Sequence, residues 1–127
     1  MSAELAVRAL YDHVAAGDFD SVTQLLDEDV VFLQADSLPF GGEWRGTSGF
    51  AEMAARINSA WPGFAAAPRA FFSNGDTQVA ALTKLIGDGI DMDMMELWTV
   101  VANRITRCQP FYFDTAAAVQ SAKEYRS

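Results

Sequence analysis

The sequence predicts an α+β domain, with helices of the N-terminal half lying on one face of a mostly antiparallel sheet. Three observations predict it. Apolar residues recur at helical spacing before Pro62, while the chain after Arg69 is a series of β-rich runs separated by short turn clusters. Half of the 127 residues are hydrophobic and only 20% are charged, enough apolar material for one buried core.

The elements follow in order. Ala3, Val7, Leu10 and Val14 mark one face of a first helix from about Ser2 to Ala16, with Ser2 as its cap and Gly17 as its stop. Asp18 or Asp20 caps a short second helix carrying Val22, Leu25 and Leu26. Residues 30–35 are β-branched and aromatic and read as a strand. Pro39, Gly41 and Gly42 mark a loop, and Thr47 or Ser48 then caps a third helix with Phe50, Met53, Ala54 and Ile57 on one face. Four strands are expected at Arg69 to Ser73, Thr77 to Ile86, Ile90 to Ala102 and Ile105 to Phe113. Turns at residues 74–76, 87–89 and 102–104 separate them. Asp114 or Thr115 caps a closing helix from Ala116 to Tyr125. No linker or repeat divides the chain, so one domain over 1–127 is expected.

Nine Lys and Arg against 17 Asp and Glu give a net charge of −8, which makes nucleic acid and anionic membranes poor partners. A single cysteine, Cys108, excludes a disulfide framework, and a single histidine, His13, argues against histidine-rich metal centres. No metal and no cofactor are expected. Glu4, Arg8 and Asp12 break any apolar stretch at the start, and no run is long enough to span a bilayer, so a cytoplasmic protein is expected. The strand from Ile90 to Ala102 is apolar on both faces. Met92, Met94, Glu96, Trp98 and Val100 alternate with Asp91, Asp93, Met95, Leu97 and Thr99. Helices can cover only one face, so Met95 and Leu97 point to a homodimer through the sheet; singly exposed apolar residues are the alternative.

A set of ordered pieces carries a family resemblance. Tyr11 precedes residues 15–20 (AAGDFD) and 25–30 (LLDEDV); residues 44–50 (WRGTSGF) and 110–117 (PFYFDTAA) follow. In that order, over nearly the whole chain, they resemble the SnoaL-like, ketosteroid-isomerase-related branch of the nuclear transport factor two superfamily. The resemblance implies a cone-shaped barrel, a curved sheet wrapped around three helices with a deep apolar pocket, and usually a homodimer. It covers isomerases, cyclases, epoxide hydrolases, dehydratases and non-catalytic proteins, so fold alone does not name a function.

Position by position, the resemblance transfers little catalytic equipment. The base of ketosteroid isomerases falls on Gln34, which cannot take a proton; their helix tyrosine falls on Leu10, with Tyr11 one step on and read as packing. Their protonated acid, kept neutral by an apolar site, falls on Glu96. The aspartate of cyclases falls on Phe111, and the strand Thr77 to Ile86 lacks the arginine–aspartate pair of epoxide hydrolases.

The candidate residues follow. Glu96, flanked by Met94 and Trp98, is the candidate acid or hydrogen-bond donor, or else a satisfied buried glutamate. His13 is the candidate proton shuttle at the pocket rim, or a half-exposed histidine near a helix C-terminus. Gln34 would orient a ligand. Phe32, Leu10, Met92, Met94, Trp98, Trp61, Phe64 and Phe111 would line an apolar pocket or serve as core. Asp36 and Glu43 could meet at a pocket mouth across the glycine loop, or remain solvated loop acids. Cys108 reads as an inert buried thiol. These features imply a protein that binds an apolar small molecule, with or without a carbonyl, and leave its chemistry undecided. The alternatives are a cofactor-free isomerase, cyclase or dehydratase using Glu96, and a non-catalytic dimeric interaction domain.

Overall fold

A computed structural model describes residues 2–122. Helix α1 (Ala3–Ala15) starts at Ser2, whose hydroxyl accepts from the Leu5 N–H at 3.1 Å, and buries Ala3, Ala6, Val7, Leu10 and Tyr11. That spacing is a helical stripe, and Val14 falls outside it at 38% exposure. Asp18 caps α2 (Phe19–Leu25) by accepting from the Ser21 N–H, and only Val22 is buried there. Strand β1 (Leu26–Gln34) begins four residues before the expected start, and a short strand β2 (Gly42–Arg45) forms where a loop was expected. It forms because β1 needs a partner on its outer edge, and the tight 35–41 loop returns the chain antiparallel beside it.

Helix α3 (Gly46–Ala60) starts without a side-chain cap, unlike the Thr47 or Ser48 cap expected, and buries Met53, Ile57 and Ala60. Strands β3 (Ala65–Asn74), β4 (Gln78–Gly87), β5 (Ile90–Val101) and β6 (Arg104–Tyr112) then form an antiparallel meander. Asp114 caps α4 (Thr115–Ser121) through the Ala117 N–H at 3.0 Å. The rest of the expected closing helix, residues 123–125, lies outside the described residues.

The six-stranded sheet has the order β2-β1-β6-β5-β4-β3, with the β1–β6 pair parallel and the others antiparallel. This is the expected α+β architecture; β2 and β3 remain as edges, so the sheet does not close. Register aligns Phe32, Cys108 and Trp98 on the helix-covered face, all at most 3% exposed. At the α1–α2 end Val22, Leu26, Val30, Val79 and Ile105 fill the interior at 0–1% exposure. At the opposite end Trp61 and Phe40, both at 0%, meet edge to face at 5.3 Å, and the Trp61 indole donates to Ser121 of α4 at 3.1 Å. The loop that carries Phe40 is tight. A Cβ on Gly41 would stand 2.5 Å from the Ala35 carbonyl oxygen, so only glycine fits without a backbone shift.

Candidate functional site

The middle of the helix-covered face is where polar groups gather. Glu96 on β5 stands in register between Ala81 of β4 and Pro110 of β6, so the side chains flanking it are small. Around it are aromatic rings. Trp98 meets Tyr11 at 5.7 Å and Phe32 at 6.2 Å, both edge to face; Tyr11 meets Phe71 at 6.0 Å, and Phe32 lies 5.0 Å from Phe50 of α3.

Two hydrogen bonds join this wall to the carboxyl. The Trp98 indole donates to the Tyr11 oxygen at 3.0 Å, and the Tyr11 hydroxyl donates to Glu96 Oε1 at 2.5 Å. Direction is fixed by chemistry: an indole N–H can only donate, which leaves the phenol proton for Glu96. The chain therefore delivers hydrogen bonds toward the carboxyl and favours its anion. Burial acts the other way and is the larger effect. The outcome is a carboxyl pushed up from 4.5 to about 7, poised to hold or release a proton near neutral pH. The Tyr11 phenol is pushed far above its ordinary value, first by burial and then by the Glu96 charge, so it stays protonated.

A second polar pair lies across the sheet on the same face. Tyr112 of β6 donates to Gln34 Oε1 of β1 at 2.8 Å, and the Gln34 amide N–H rests against the Met53 sulfur at 3.6 Å, a weak acceptor. Gln34 and Glu96 are separated by two inter-strand steps, about 10 Å at the usual spacing. The Tyr112 phenol is raised by burial and next by the charge of Glu96, which places the two groups within electrostatic reach. Cys108 is raised by the same two causes and is an inert, buried thiol, as expected.

The expected site residues divide into those that gather here and those that do not. Glu96, Gln34, Phe32, Met94 and Trp98 share the helix-covered face, with Met92 and Phe64 half-buried against the same core. Trp61 is a fully buried plug at one end, and Leu10 is core at 3% exposure. Two residues are elsewhere. His13 lies two helix residues past Tyr11, about 200° around the axis, so it faces away from Glu96 and sits 3.9 Å from Asp18 at the α1–α2 corner. Phe111 alternates with the inward-facing Pro110 and Tyr112, so it points outward and is 50% exposed.

Sequence reasoning passed over three residues. Tyr11, read as packing, is the hydrogen-bond partner of Glu96; its place on the buried helical stripe was the available signal. Tyr112 lay in a run read as a strand and quoted for the resemblance, with Phe111 rather than Tyr112 taken as the candidate. Phe40 sat in a segment read as plain loop.

On the other side of Gln34 and Tyr112 lies a cavity of about 500 Å³ between the ends of β1 and β6. Asp36 in the loop and Glu43 on β2 both line it, so the two acids do share a mouth, with Glu43 paired to Arg45 at 2.7 Å. Among the described residues no group of three or more His, Cys, Asp or Glu could hold a metal, and no helix is long and apolar enough to cross a membrane.

Comparison with known proteins fits this architecture. Bal32a from a soil-derived mobile gene cassette superposes with a TM-score of 0.88 at 17% identity, covering 95% of this chain and 96% of that one. TerC, co-crystallized with polyporic acid, superposes at 0.80 with 24% identity, covering 91% and 93%. An NTF2-like protein from Burkholderia thailandensis superposes at 0.84 with 18% identity, covering 95% and 97%. At these identities the likeness is one of fold. No curated protein matches the chain. The SnoaL-like domain model matches residues 7–108, and with the NTF2-like fold that surrounds Glu96 this makes the chain a member of the SnoaL-like family.

Proposed function

We propose that the helix-covered face of the sheet binds an apolar, carbonyl-bearing small molecule and that Glu96 supplies its principal polar contact. The observation that carries this reading is one carboxyl in an aromatic wall, flanked by Ala81 and Pro110, with Oε1 engaged by Tyr11 and a pKa of about 7. Its second oxygen is left to face a ligand, donating when the acid is neutral and accepting when it is ionised. The SnoaL-like fold is a small-molecule-binding fold, and the co-crystallization of a fold neighbour, TerC, with polyporic acid supports the same reading.

A thermal-shift screen of aryl ketones, cyclic ketones and polyketide-like aromatics tests it. A ligand of the folded state raises the midpoint, and Glu96→Gln should weaken a carbonyl ligand only modestly, since the amide still donates. A screen with no stabilising compound in any class refutes the reading.

The pKa near neutrality favours a second reading, a cofactor-free isomerase, cyclase or dehydratase. In it the free Glu96 oxygen moves a proton while Tyr11 stabilises the anion. Turnover that falls by several hundredfold or more in Glu96→Gln, with loss of a pH dependence near 7, separates catalysis from binding. The open face of the sheet, with Phe72, Ile86 and Phe111 at 56%, 46% and 50% exposure, is proposed as the surface of a homodimer. A cytoplasmic location remains part of the same proposal.

A further inference from the structure

The parallel ladder between β1 and β6 stops early. Its last pair is Phe32 with Cys108, yet both strands continue: β1 to Gln34, paired with β2, and β6 to Tyr112, paired with β5. Pro110 has no N–H to extend the ladder. Beyond Cys108 the sheet is split, and the 500 Å³ cavity occupies the split, lined by Leu33 and Gln34 on one side and Gln109, Pro110, Phe111 and Tyr112 on the other. The two banks are bridged by the Tyr112–Gln34 hydrogen bond. Pro110, which lines the split, is the register partner of Glu96.

We propose that the split between β1 and β6 is the passage by which a ligand reaches Glu96, and that the Tyr112–Gln34 hydrogen bond is its bar. The proposal rests on the small-molecule reading of the Glu96 site. Opening the bar frees a phenol O–H that needs an acceptor and an amide carbonyl that needs a donor, in a partly buried setting where neither is left unpaired cheaply. A ligand that passes and stays must offer an acceptor and a donor on neighbouring atoms. The ligand class is an apolar α-hydroxy ketone or an equivalent enol, carrying its aromatic or aliphatic body between Leu33 and Phe111.

Cys108 is a native reporter for the passage, because it is the chain's sole cysteine, 1% exposed, and stands at the apex of the split. Its modification by methyl methanethiosulfonate, followed by mass spectrometry, measures access without any ligand. Tyr112→Phe removes the bar and keeps the ring against Trp61; Gln34→Met removes it from the other bank. Both variants should speed modification at least about fivefold, and by more than their change in global stability accounts for, as expected for easier local opening once one hydrogen bond is lost from the closed state. Gln109→Trp, which fills the split from the outer side, should slow it. Unchanged rates in both bar variants, or rates that only track global unfolding in denaturant, overturn the passage.

The ligand class is tested with benzoin and deoxybenzoin, which differ by one hydroxyl. Benzoin should stabilise the wild-type protein more, and the preference should vanish in Gln34→Met. Equal effects of the two overturn the ligand class. If neither compound nor any ketone binds while Cys108 responds as expected, the small-molecule reading fails and the passage stands.

Discussion

Glu96→Gln keeps the size and hydrogen-bonding reach of the side chain but removes its titration. In the folded chain the Glu96 carboxyl sits at about 7 against an ordinary 4.5, with burial the main cause and the Tyr11 hydrogen bond opposing it. A carboxyl raised by folding leaves stability intact below the unfolded value. Stability is then lost as pH rises through the window from 4.5 to about 7, because the unfolded chain releases the proton first. At ~1.36 kcal/mol per pH unit the loss approaches about 3 kcal/mol, reduced by whatever water reaches the free oxygen. Glu96→Gln has no such loss. Urea unfolding of both proteins from pH 4 to pH 8 should therefore show the variant gaining on the wild type by about 2–3 kcal/mol, with most of the gain below pH 7. Other acids cancel in the comparison, including Glu4 and Asp18, which are held below their ordinary values by hydrogen bonds to Arg8 and Ser21 respectively. A difference that stays flat with pH refutes the argument, since Glu96 would then titrate alike in both states.

Four further outcomes follow from packing. Tyr11→Phe strands the Trp98 indole N–H and the Glu96 carboxyl together and should cost about 1–3 kcal/mol in denaturant unfolding. It should also push the Glu96 titration higher, read by carboxyl NMR shifts. Gly41→Ala drives a methyl into the Ala35 carbonyl and should cost about 1–3 kcal/mol in the same assay, with no effect expected if the loop can relax freely. Trp61→Ala empties a fully buried position against Phe40 and Tyr112 and should lower stability by about 3–5 kcal/mol. Phe111→Glu places a charge on the open face and should shift sedimentation from dimer to monomer; a wild-type protein that sediments as a monomer removes that surface from consideration.

The fold was legible because its signals are local. Helical stripes, strand alternation and the three hairpin turns each depend on neighbours in sequence, and the ordered family pieces fixed how they assemble. Strand β2 was not legible, since four residues with Gly42 at their head form a strand only because β1 lies beside them. The candidate site was legible on one strand, and the contacts between elements were not. Glu96 declared itself as a carboxyl in an apolar run, but its partner depended on which of two adjacent helix residues reaches the sheet. Carrying over a family position selected Leu10, whereas Tyr11 makes the contact. His13 failed for the same angular reason. Phe111 left the Glu96 face on parity, since a strand position shifted by one changes faces, and lines the β1–β6 cavity instead.

The topology also sets the order in which the working parts come together. Strands β3 to β5 pair only with sequence neighbours, whereas β1 must find β6 across 78 residues, the separation of Gln34 and Tyr112. Local pairings form before distant ones because long loops are costly to close. During synthesis α1, α2 and β1 emerge first; α3 then covers β1 and β3 to β5 cover α1, but β1 has no β6 to pair with until the last strand is made. The Tyr11–Glu96 contact and the Gln34–Tyr112 contact both join the early half to the late half. A truncated or half-folded chain thus has a sheet without these two contacts, and their formation reports that the final closure has taken place.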